Sequence, residues 1–119
     1  MEQSKSLNTL VEILLSAIAV IVLANILPGI YVSGFITAII VAAVLTLLNL
    51  FVKPLLILFT LPVTIFTLGL FLLVINALII MICDALVGGF RVDGFWYALL
   101  FSVLLSILQS VLFALTKKK

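Results

Sequence analysis

Few side chains in this sequence could take part in chemistry, and they are widely spaced. Between a polar tail at residues 1–6 and the closing Lys117-Lys118-Lys119, the charged residues are Glu12, Lys53, Asp84, Arg91 and Asp93. There is no His and a single Cys, Cys83, which leaves no disulfide framework and no ordinary zinc site. Acid–base or nucleophilic catalysis needs titratable groups that converge, and this set is too sparse to supply them. The expectation is a chain that is not an enzyme, with no catalytic residue, no metal and no cofactor. What remains is hydrogen bonding. Asn49 and Asn76 sit in apolar sequence, where an unpaired amide costs several kcal/mol in hydrocarbon. Each needs a partner, either as glue between helices, worth about 0.6–2 kcal/mol, or as lining of a polar cavity. Lys53 follows Asn49 by one helical turn, and its ammonium can reach headgroup level. Glu12 is the acid that could meet it. Asp84 could pair with Arg91 across a turn, or Arg91 could pair with Asp93.

The elements that must hold these groups are apolar helices. Apolar residues make up 67% of the chain and charged ones 8%, against roughly 45–50% and 25% in soluble domains. A net charge of +2 offers no basic surface for nucleic acid, and 119 residues make one domain. The first span is read from Leu7 to Leu27, long enough at ~1.5 Å per residue to cross a ~30 Å hydrocarbon core. It is read as a retained helix, because the tail mixes charges and the apolar run exceeds that of a cleaved leader. Pro28-Gly29 closes it, and residues 30–34 form a tight connection. The second span runs from Phe35 to Val52, where Lys53-Pro54 stops or kinks it. Leu55–Leu61 is too short to cross and too apolar for water. It is expected as a short interfacial or re-entrant helix with Lys53 at headgroup level; the alternative is a long second helix, kinked at Pro54, that reaches Leu61. The third span runs from Pro62 to about Val87, with Gly69 letting a neighbouring helix approach. Residues 88–94 form the second connection, and Phe95–Leu115 the fourth span. The fold class is thus an all-α membrane protein in one domain: hairpin one at about 7–52, a junction at 53–62, and hairpin two at about 63–115.

An ungapped match at an offset of 60 relates residues 28–49 to 88–109. It pairs Gly29 with Gly89, Val32 with Val92, Gly34 with Gly94, Phe35 with Phe95 and Ala38 with Ala98. Leu45/Leu105 and Leu48/Leu108 also match, and Asn49/Gln109 and Thr46/Ser106 agree in kind. Two tandem hairpins of parallel orientation follow, related by an axis along the membrane normal. The repeat carries a stripe of small residues at four-residue spacing: Gly34, Ala38, Ala42 and Thr46 on the second span; Gly94, Ala98, Ser102 and Ser106 on the fourth. Such stripes let helix backbones approach in lipid, and spans two and four are expected to meet on this one. Lys5, Lys53 and Lys117 to Lys119 fall on one side and Arg91 on the other, which puts both termini in the cytoplasm by the positive-inside rule.

The pattern N-x3-K-P-x7-P-x6-G-x6-N (Asn49, Lys53, Pro54, Pro62, Gly69, Asn76), followed by G-F-x-V-D-G-F from Gly89 through Gly94 to Phe95, resembles phage holin family 4 (superfamily IV). These are small bacterial four-span proteins of the YvlD-like kind. The resemblance covers roughly Ala24 to Leu112, and its specific part is the Lys-Pro…Pro…Gly core. It implies a multi-pass protein of the bacterial inner membrane, and the holin name implies oligomeric lesions that release a lytic enzyme. The partners expected are the lipid bilayer and either a second copy or another membrane protein. The polar face coincides with the small-residue stripe and is consumed by packing within the chain. That favours a structural or interaction protein of the envelope over a holin-like pore former or small channel.

Overall fold

A computed structural model describes the backbone of residues 2–117 and the side chains of residues 8–115. Lys5 and Lys117 to Lys119, on which much of the charge asymmetry rests, lie outside the described side chains. The elements in order are α1 (Glu2–Ile26), β1 (Ile30–Val32), α2 (Phe35–Leu47), a π-helical turn (Leu48–Val52), α3 (Lys53–Phe59), α4 (Leu61–Phe66), α5 (Phe71–Leu86), β2 (Phe90–Val92) and α6 (Phe95–Lys117). Among the described residues, three helical stretches are long and apolar enough to cross a membrane: Asn8–Ile26, Phe35–Phe59 and Phe95–Leu115. The apolar helix Phe71–Leu86 is shorter, at about 24 Å for 16 residues.

The second helix departs from the expected stop at Lys53-Pro54 and follows the alternative of a long helix. It runs as one 25-residue stretch from Phe35 to Phe59. The π turn is what absorbs the proline. The Lys53 amide donates to the Leu48 carbonyl, five residues back, so the backbone is already widened where the Pro54 ring would crowd the preceding turn. The break comes instead at Thr60 (φ −109°, ψ 17°), whose hydroxyl donates to the Leu56 carbonyl at 2.6 Å. Leu55–Phe59 therefore belongs to the long helix, and the short helix of the junction is α4, with Pro62 in its first turn.

The third span does not begin at Pro62 either. Residues 67–70 turn the chain, and α5 starts at Phe71. Leu68 adopts the left-handed conformation (φ 57°), the Gly69 amide donates to the Thr64 carbonyl at 2.8 Å, and the Leu68 amide to that of Ile65 at 3.1 Å. This is a Schellman ending with leucine where glycine is usual. The Thr67 hydroxyl donates to the Val63 carbonyl at 3.0 Å and accepts the Phe71 amide at 3.1 Å, closing one helix and opening the next. Gly69 has open space around it. Its positive φ of 89° serves the turn and does not admit a neighbouring helix.

The two connections pair with each other. β1 and β2 form an antiparallel ribbon with Tyr31 opposite Arg91, flanked by Ile30 opposite Val92 and Val32 opposite Phe90. Beyond the ribbon the Ser33 amide donates to Gly89 at 2.9 Å, and the Asp93 amide to Gly29 at 2.8 Å. The pairing puts both connections at one end, where α1 and α5 finish and α2 and α6 start. Each connection also presses a glycine onto the opposite helix. A Cβ at Gly29 would overlap the Tyr97 ring, and one at Gly89 would lie 2.6 Å from Ser33 Oγ and 3.3 Å from Thr37 Cγ2.

α1 packs along α2, α5 along α6, and α1 also along α6; α2 meets α5 more lightly. α2 and α6 are not extensive packing neighbours, so the small-residue stripe does not form the expected seam between them. Ala38, Ala42, Ala98 and Ser102 are buried, but toward the centre that all four long helices share. A Cβ added at Gly34 would meet nothing within 4 Å, so this glycine takes no part in close packing. A layer of Val20, Val41, Cys83 and Phe101, each fully buried, fills the middle of the bundle. Phe101 stacks obliquely on Phe90 of the ribbon with centroids 5.9 Å apart.

Candidate functional site

On the side of that apolar layer away from the ribbon, α1, the long helix Phe35–Phe59, α5 and α6 bound a cavity of about 70 Å³ that opens at one end. α1 contributes Ser16. α2 and its continuation contribute Ala42, Leu45, Thr46, Asn49 and Lys53. α5 contributes Asn76, Ile79 and Ile80, and α6 Ser102, Leu105, Ser106 and Gln109. The floor is apolar, formed by Leu45, Ile79, Ile80 and Leu105, one turn from the Val41, Cys83 and Phe101 layer. The mouth is polar, with Asn49 and Ser106 exposed at its rim.

The polar groups are not equivalent in how they are satisfied. The Gln109 amide donates to Ser16 Oγ at 2.7 Å and ties α6 to α1. Thr46 donates to the Ala42 carbonyl at 2.9 Å and Ser102 to that of Leu99 at 2.8 Å, so both hydroxyls keep free lone pairs toward the centre. Asn49, Asn76 and Lys53 make no side-chain hydrogen bond or ion pair among the described residues. Glu12, the expected partner of Lys53, neither pairs with it nor lines the cavity. The π turn places Asn49 and Lys53 at the mouth, and because Pro54 has no amide proton the Leu50 carbonyl lacks its usual helical donor.

Of the residues singled out in the sequence, Asn49, Lys53, Asn76, Ala42, Thr46, Ser102 and Ser106 come together here. Asp84 does not. It lies at the ribbon end, where its carboxylate accepts the Val92 amide at 3.1 Å. That amide points away from β1 because hydrogen-bonded and non-bonded pairs alternate along an antiparallel ribbon. Arg91 pairs with Asp93 at 3.6 Å, both exposed. Pro54, Pro62 and Gly69 shape the junction; Gly89 and Gly94, with φ of 88° and 98°, shape the second connection. Ser16 is a lining residue that the sequence motifs do not single out. Its signal is present all the same: Ser16 and Asn76 stand sixty residues apart, as do Asn49 and Gln109, but Ser16 lies outside the stretch where the repeat aligns. A second hollow of about 190 Å³, bounded by Ile21, Ala24, Asn25, Val32, Gly34 and Phe35, is lined mostly by apolar residues. Its Asn25 amide is spent on the Ile21 carbonyl.

Residues 7–111 match the family described as mycobacterial 4 TMS phage holin, superfamily IV. The chain belongs to this holin superfamily. It is 47% identical over 98 residues to the uncharacterized membrane protein YvlD of Bacillus subtilis, with 82% of each chain covered. It is also 39% identical over 112 residues to the uncharacterized protein SCO3922 of Streptomyces coelicolor, covering 86% of this chain and 90% of that one. No solved structure matches. As a member of the holin superfamily it is a membrane protein, and the apolar surface fits that setting: Phe59, Phe66, Leu68 and Ile65 are exposed around the junction.

Proposed function

We propose that this holin-superfamily protein is a structural or interaction element of the bacterial inner membrane, and not a pore or an enzyme. In this reading the chain crosses the bilayer four times as two duplicated hairpins related by an axis along the membrane normal, with both termini cytoplasmic. The duplication is supported by contacts that recur sixty residues apart: Ser33 to Gly89 with Asp93 to Gly29, and Gly29 on Tyr97 with Gly89 on Thr37. Each hairpin clasps the other through its connection.

The observation that carries the functional reading is the direction in which polar groups face. They turn inward on a cavity floored by Leu45, Ile79, Ile80 and Leu105, with the fully buried Val41, Cys83 and Phe101 about one turn further on, and the outer surface is Leu, Ile, Val and Phe. A water-filled pore, within one chain or between several, needs a continuous polar wall. The family name favours the other reading, an oligomeric lesion, and one experiment separates them. Purified protein reconstituted in liposomes loaded with a self-quenched dye is expected to leave the dye inside at all protein-to-lipid ratios that keep it folded. Release that rises steeply with protein density would replace the structural reading with the lesion.

A further inference from the structure

The half of the cavity left unsatisfied has a definite chemistry. Gln109 and Ser16 bond to each other across α6 and α1, but the residues sixty positions away, Asn49 and Asn76, do not bond across α2 and α5. On that open side stands Lys53; the residue sixty positions on is Phe113, so the charge has no counterpart. The lining therefore holds one cation, two unengaged amides and hydroxyls at Ser106 and Ser102. It holds no carboxylate. None of the unengaged polar atoms here is sealed from solvent, since among the described residues the buried side-chain polar atom without a partner is Thr64 Oγ1. An anion entering the mouth would meet a cation and idle amide donors already facing it, and bonds to a charged group are the strong ones. The volume of about 70 Å³ compares with the roughly 10–15 Å³ one water needs on the same measure, enough for a tetrahedral oxyanion with its hydrogen-bond shell. The rim at Asn49 and Ser106 is open, and it lies at the end of the bundle opposite the ribbon, where headgroups would stand.

We propose that this cavity mouth is a binding site for a phosphate group, held by Lys53 with Asn49 and Asn76, supplied by an anionic phospholipid headgroup or by free phosphate. Basic pockets between membrane helices recognise anionic headgroups in this way, through a fixed cation and surrounding donors rather than through surface charge alone. The site goes beyond the structural reading of the bundle and would exist in a pore-forming bundle as well.

The test uses the full chain in a neutral detergent. Phosphatidylglycerol, phosphatidylcholine and inorganic phosphate are titrated separately, with bound adducts followed by native mass spectrometry and thermal stability by fluorescence. The expected result is saturable binding of phosphatidylglycerol but not phosphatidylcholine. Lys53→Gln and Asn49→Leu should each weaken it roughly ten- to a hundredfold, as loss of a charged hydrogen bond or its partner does. Lys53→Arg should retain binding. Arg91→Gln, which removes an equal charge at the ribbon end, should leave it unchanged and also controls for folding. Inorganic phosphate that binds with the same dependence on Lys53 identifies free phosphate as a sufficient ligand; phosphate that fails while the lipid binds identifies the headgroup. Equal retention of phosphatidylglycerol by the native chain and Lys53→Gln, or equal loss in Lys53→Gln and Arg91→Gln, would overturn the site.

Discussion

Gly29 offers a sharp test of how the two hairpins are joined. It lies in the first connection with no positive φ to maintain, so alanine meets no backbone penalty there. The obstacle is purely steric: the added Cβ would overlap the Tyr97 ring on α6. The ring must swing out or the ribbon must lift, and overpacking of this kind costs about 1–3 kcal/mol. Lifting the ribbon would also strain the Asp93 amide to Gly29 carbonyl bond at 2.8 Å. Gly34 in the same connection has nothing within 4 Å and an extended φ of 173°, so Gly34→Ala should change stability by less than about 0.5 kcal/mol. The assay is reversible denaturant unfolding in detergent, read by the fluorescence of Trp96, the chain's single tryptophan and a neighbour of Tyr97. Tyr97→Ala placed in the Gly29→Ala background should recover part of the loss, a coupling that distant sites do not show. If Gly29→Ala is as stable as the native chain, or if Gly34→Ala is equally damaging, the clasp between connection and α6 is wrong.

Leu68 holds a left-handed conformation at φ 57° with its side chain 93% exposed, so Leu68→Gly should stabilise the fold by about 1 kcal/mol in the same unfolding assay. Asp84→Ala should cost about 1–3 kcal/mol by stranding the Val92 amide, whereas Asp84→Asn, which keeps an acceptor, should recover most of it. Pro62→Ala restores an amide donor at the start of α4 and should let α3 and α4 join across Thr60, seen as slowed hydrogen exchange over residues 59–64.

The apolar spans and their glycine-marked connections are legible in the sequence because membrane helices announce themselves by length and composition. Six of the polar residues singled out there, Asn49, Lys53, Asn76, Thr46, Ser102 and Ser106, line the cavity, as polar side chains in apolar helices turn toward the interior. The junction is harder. Lys53-Pro54 reads as a helix end, yet a π turn at Leu48–Val52 carries the helix past it, and such a turn leaves no composition of its own. The true break uses Thr60, Thr67 and a left-handed Leu68, none of them a strong breaker in sequence. The ribbon is invisible at that level because three-residue strands sixty residues apart carry no periodicity long enough to read. Only the middle of the stripe faces inward, at Ala38, Ala42, Ala98 and Ser102, while Gly34, Gly94 and Ser106 are exposed. Its neighbours also differ from those its spacing suggests: small residues every four positions do not tell which helix they meet.

Four crossings, with the ribbon at one face and the cavity mouth at the other, require the short helix α5 to cross as the other three do. Parity decides it. Single cysteines at Ser4, Asn49, Ser110 and Lys119, and in the ribbon at Tyr31 and Arg91, can be placed in a Cys83→Ala background and probed in intact cells with a membrane-impermeant maleimide. Four crossings predict that only the two ribbon positions label from outside and the other four label only after the membrane is opened. Labelling of Lys119 from outside with Ser4 protected would mean three crossings, and the four-pass bundle would have to be abandoned.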